Sequence, residues 1–135
     1  MRKRFDPIKD KCGEIVEFIM TSPEIPQDES LQFKIRLSVE EVVENVVNYA
    51  YQGGCGWLEA ITSLDEGKAC LTIVIKDAGI PFNPLEAEDP DITLSAEDRP
   101  IGGLGIFLCK QLMDSMHYSY EDGCNILTMT KSLSA

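Results

Sequence analysis

Two pairs of alternating segments, each joined by a tight turn, constrain this fold most. WLEAITSL and CLTIVIKDA flank the turn DEGK, and HYSYE and NILTMTK flank DGC. Apolar residues at every second position, bounded by turn-forming residues, predict two β-hairpins. The rest of the chain reads differently. Asp6 followed by Pro7 resembles a helix start, and Ile8, Cys12, Ile15, Val16 and Ile19 recur at helical spacing, which predicts a first helix over about 7–21. The connection TSPEIPQDES carries prolines, and Asp28 or Ser30 then caps a second helix ending near Tyr51, where QGGCG terminates it. A third helix begins in GGLGIFL and runs to about Met116. The order α-α-β-β-α-β-β predicts an α+β fold. We expect a two-layer sandwich in which helices cover one face of a mixed sheet of about four strands.

With 135 residues, one domain (1–135) with one hydrophobic core is the simplest organisation. No run of about 18 apolar residues predicts a membrane span. The basic start MRKRFDPIKDK lacks the apolar region of a secretory signal. Five scattered cysteines without a Cys-x-x-Cys pair read as reduced thiols in a cytoplasmic protein. With one His, they offer no zinc ligand set. The net charge of −11 argues against a general nucleic-acid binder. The charge is uneven: beyond residue 11 the chain carries 7 basic against 21 acidic residues, a balance of −14. The basic head either docks a partner or is a solvated terminus.

Three polar features stand out against the apolar pattern. In DRPIGGLGIFLCKQLMD, Gly102, Gly103 and Gly105 precede a helical run. Glycines at a helix start expose main-chain N–H groups and a partial positive charge, which suits phosphate. A flexible loop before an amphipathic helix is the plainer alternative. In LSVEEVVENVVNYAY, Glu41, Asn45 and Asn48 share a stripe bordering Val39, Val42, Val43 and Val46. A carboxylate and an amide oxygen there could serve Mg²⁺ or orient a hydroxyl, or could belong to a solvated face. Asp77 follows Leu71, Ile73 and Ile75 on one strand face. A carboxylate at the end of an apolar face needs a partner. That partner is either a ligand amine or the next turn. The segment 79–100, with four prolines and six acidic residues, is long for a simple connection and suits a lid.

EVVEN, DAGIPFNP and GGLGIFL, in this order, resemble the N, G1 and G2 boxes of the Bergerat-fold ATPases. With PFNP, DRPIGGLGIFLCKQLMD and GCNILTMTK, the chain is most similar to the anti-sigma factor serine kinases, over about 30–131. The resemblance implies ATP and Mg²⁺ as cofactors. It implies Asn45 as the metal ligand, Glu41 as general base, and Asp77 as acceptor for the adenine amino group with Gly79 admitting the base. The amides of Gly102, Gly103, Leu104, Gly105 and Ile106 would hold phosphates, helped by Arg99 and less so by Lys110. The lid would be 86–100. The implied partners are a sigma factor and an anti-sigma-factor antagonist of STAS type, with a possible homodimer. Three departures are visible, the first being a short and very acidic lid that disfavours phosphate contacts other than through Arg99. Tyr49 stands where many members carry His, and the family's first strand is missing or very short here. The implied activity is that of an ATP-dependent serine/threonine protein kinase. A nucleotide-sensing binding module without phosphoryl transfer is the alternative.

Overall fold

Both hairpins form. Strands β2 (Leu58–Leu64) and β3 (Cys70–Asp77) pair antiparallel. Asp65 closes their turn, its Oδ1 accepting from the N–H groups of Ala69 (2.8 Å) and Cys70 (3.0 Å). Strands β4 (Ser115–Glu121) and β5 (Cys124–Ser132) form the second hairpin. Its turn residues Asp122 and Gly123 have φ of 53° and 78°, the two positive values that a type I′ turn demands. The computed structural model describes residues 1–51, 56–67, 69–86 and 104–133.

A fifth strand completes the sheet. β1 (Arg2–Phe5) is only four residues long and pairs antiparallel with β2. The strand order is β1-β2-β3-β5-β4. The basic head is therefore a sheet edge: Arg4 lies 3.2 Å from the Glu59 carboxylate and stacks over the Trp57 ring at 4.1 Å. Every pairing is antiparallel, which corrects the expected mixed sheet of about four strands. The chain does leave β3 through α3 into β4, so these two strands run parallel. β5 lies between them and pairs with both.

Three helices pack on one face of the sheet. α1 (Cys12–Met20) starts later than the sequence predicts. Phe5 is buried and paired in β1, which draws the chain out extended past Pro7. A single 3-10 turn (Lys9–Lys11) then leads into the helix. α2 (Glu29–Tyr49) is capped by Asp28, whose Oδ1 accepts from the N–H of Leu31 at 2.9 Å. α3 (Leu104–Leu112) stops short of the expected Met116 because β4 begins at Ser115. The core joins Ile15 and Ile19 of α1 and Ile35, Val39 and Val43 of α2 to Leu71, Ile73 and Met129 of the sheet. Cys12, Cys70, Cys109 and Cys124 are free thiols. Among the described residues no helix is long and apolar enough to cross a membrane.

Candidate functional site

The long helix and the central strand create one cleft. α2 lays Val42, Asn45, Val46 and Ala50 along one side, and β3 and β5 supply Ile75, Asp77, Asn125 and Leu127 on the other. Phe82, Pro84 and Tyr118 close its rim, and the enclosed cavity measures about 30 Å³. The walls are mostly apolar, so each polar group in them stands out.

Asp77 is 4% exposed. Its Oδ1 accepts from the N–H of Gly79 (2.8 Å) and from Nδ2 of Asn125 (2.9 Å). Burial pushes the carboxyl above its ordinary range, and these two hydrogen bonds only partly offset that. No described donor reaches Oδ2. A buried acceptor on an apolar wall suits a flat ring carrying an N–H donor. Asn45 lines the same cleft, and its amide makes no hydrogen bond to a described residue. Its oxygen is therefore available to a hard cation such as Mg²⁺. Among the described residues no group of three acidic, His or Cys side chains could hold a metal alone.

Glu41 sits one turn earlier on α2. Its carboxyl is pushed up first by burial and then by the charge of Glu44, which moves it toward the range useful for a general base. Gly105 backs directly onto it: a Cβ at that position would fall on the Glu41 carboxyl. α3 is held there by Cys109, whose Sγ contacts the Ser38 carbonyl at 3.7 Å, and by buried Ile106.

The structure thus brings Asn45 and Asp77 into one cleft, with Glu41 and Gly105 touching beside it. Gly79 lies against the end of α2. A Cβ there would strike the Ala50 carbonyl, so its bareness serves the close approach of this loop to the end of α2. Ile80 N–H bonds that same carbonyl at 2.9 Å. Leu104 opens α3. Arg99, Gly102, Gly103 and the expected lid beyond residue 86 lie outside the described residues. Tyr49, in place of the family's His, packs its ring against Phe82 at 5.6 Å.

Asn125 was not singled out by sequence. It is 6% exposed and faces Asp77 directly across the β3–β5 pair. A signal existed: Asn125 shares its strand face with Leu127 and Met129, the same polar-on-apolar pattern that marked Asp77.

Comparison with known proteins bears on the family and the fold. The family model described as histidine kinase-like ATPase domain matches residues 14–131. The serine/threonine-protein kinase BtrW of Bordetella bronchiseptica is 30% identical over 100 residues, covering 74% of this chain and 70% of BtrW. The serine-protein kinase RsbW of Bacillus mycoides is 30% identical over 101 residues, covering 72% of this chain but only 61% of RsbW. The RsbW of Bacillus cereus, at 31% identity, is covered to the same extent. Among solved structures, the blue-light activated histidine kinase of Erythrobacter litoralis shares the fold. Its kinase domain matches with a TM-score of 0.60 at 17% identity, covering 92% of this chain and 60% of that one. The chain belongs to the histidine kinase-like ATPase domain family.

Proposed function

We propose that this chain binds Mg-ATP in the α2–β3 cleft and transfers the γ-phosphoryl group to a serine or threonine hydroxyl of a partner protein. The observation that carries this reading is the joint placement of Asn45 and Asp77 in one cleft, with Glu41 one helical turn beyond Asn45. Asp77 Oδ2 would accept from the adenine amino group, and the apolar Val42, Val46, Ile75 and Leu127 would line the space for the ring. Asn45 would hold Mg²⁺, and the ion would supply charge neutralisation during transfer. Glu41 takes the proton from the attacking hydroxyl. The first-turn amides of α3, which starts at Leu104, would offer N–H donors to the phosphates. Arg99 and the lid at 86–100 complete the site in this reading.

The names of BtrW and RsbW and the resemblance to anti-sigma factor serine kinases support a protein substrate. The partners that fit are a STAS-type antagonist bearing the acceptor serine and a sigma factor held in its absence. The presence of β1 at a sheet edge supports a homodimer. The test is direct. The protein is incubated with Mg-ATP and a candidate antagonist, and the antagonist is weighed by mass spectrometry. One added phosphate per molecule is expected. An unmodified antagonist, with ATP bound, would leave a nucleotide-gated binding module instead.

A further inference from the structure

Asn125 spends its whole amide on the protein. Nδ2 donates one hydrogen to Asp77 Oδ1 at 2.9 Å and the other to the carbonyl of Ile80 at 2.8 Å. Its Oδ1 accepts from the N–H of Phe82 at 3.1 Å and from the Tyr118 hydroxyl. Two donors and two lone pairs exhaust an asparagine amide. The pattern also fixes which way the amide faces. Rotating it would turn the carbonyl oxygen onto the Ile80 carbonyl and the NH₂ onto the Phe82 N–H, losing both bonds.

We propose that Asn125 is a positioning residue that sets base selectivity in the cleft by dictating which oxygen of Asp77 a ligand meets. The proposal rests on the nucleotide reading above. With Oδ1 occupied by Asn125 and Gly79, the carboxylate cannot swing, and Oδ2 is the one oxygen left for a ligand. A fixed lone acceptor rewards a ring bearing an exocyclic amine and rejects one bearing a carbonyl, because an oxygen facing a buried carboxylate is left unpaired. Asn125 itself has no hydrogen-bonding capacity left for the base, so it acts through Asp77. The same amide ties Ile80 and Phe82 to the sheet. The loop that closes one side of the cleft is therefore set by the side chain that sets the acceptor.

The test compares ATP with inosine triphosphate, which carries a carbonyl in place of the amine. Calorimetric affinities are measured for the wild type, Asn125→Ala and Asn125→Asp. The Asp variant keeps the shape but replaces the fixed amide donors with a carboxyl that shares one proton with Asp77, and it is a second arm if Asn125→Ala melts. The wild type should prefer ATP. In either folded variant the ATP-to-ITP affinity ratio should fall by about tenfold or more, because the acceptor is no longer held. A purely structural role for Asn125 would weaken both nucleotides equally and leave the ratio unchanged, which would overturn the proposal. A wild type that binds neither nucleotide would instead remove the nucleotide reading on which it stands.

Discussion

Gly105→Ala separates catalysis from stability more sharply than any other single change in this chain. The new methyl would occupy the space of the Glu41 carboxyl. Restoring ordinary van der Waals separation moves that group by roughly 1.5 Å. The Glu41 carboxyl is the far end of a flexible, partly exposed side chain, so it can yield for about 0.5–1.5 kcal/mol of rotamer strain. Alanine gains up to ~1 kcal/mol of helix propensity over glycine. The two effects nearly cancel, and the melting temperature should stay within roughly 5 °C of wild type. Catalysis has no such compensation. Misplacing a reactive group by about 1 Å costs on the order of 10²-fold in rate, or about 2.7 kcal/mol of barrier. We therefore expect phosphoryl transfer to fall about 100-fold, toward the level of Glu41→Ala, while ATP affinity changes less than about threefold. Single-turnover transfer to the antagonist, calorimetry with ATP and a thermal melt read all three quantities. Full transfer activity in Gly105→Ala would refute the argument, since Glu41 would then not be the base.

Gly79→Ala makes the opposite case: its Cβ meets backbone at Ala50, which cannot rotate away, so about 1–3 kcal/mol of stability should be lost in urea unfolding. An unchanged midpoint would contradict that contact. Asn45→Ala should abolish magnesium-dependent ATP binding in calorimetry while the melt is nearly unaltered, because the amide leaves no described partner unsatisfied. Retained Mg²⁺ dependence would move the metal ligand elsewhere. Burial raises the Asp77 carboxyl above its ordinary value, so folding favours its neutral form. That stabilisation is complete below the ordinary carboxylate pKa of about 3.9 and is lost as pH rises through the raised native value. Asp77→Asn does not titrate, so its stability relative to wild type should improve between about pH 3 and pH 7. A constant difference across that range would count against the burial argument.

The parts governed by local pattern were legible. The alternating segments became hairpins, Asp28 caps α2, and three polar signals far apart in sequence converge on one region. What escaped was what tertiary contact decides. RKRF reads as a basic head that docks a partner or is solvated, with the first strand missing or very short; burial of Phe5 and pairing with β2 make it a four-residue strand. The same pairing moves the start of α1 from Pro7 to Cys12. The insertion of β5 between β3 and β4 leaves no mark in either strand. Nothing in the sequence says that the bareness of Gly105 also accommodates Glu41. Asn125 shares an apolar strand face with Leu127 and Met129, but the sequence alone does not set it opposite Asp77.

The junction at Ala50 gives α2 the character of a fixed ruler. Its carbonyl is bonded by Ile80 and pressed by Gly79, which anchors one end of the helix beside Asp77. At 1.5 Å per residue, Asn45 then stands about 7.5 Å and Glu41 about 13.5 Å along the axis from that anchor. Side-chain substitutions cannot alter this spacing. Inserting one residue between Ala50 and Asn45 would turn the remainder by about 100°, carrying both groups off the cleft together. Length along α2 is thus a covalent property of the chain, and a ligand too short to span it would reach one end of the site at a time.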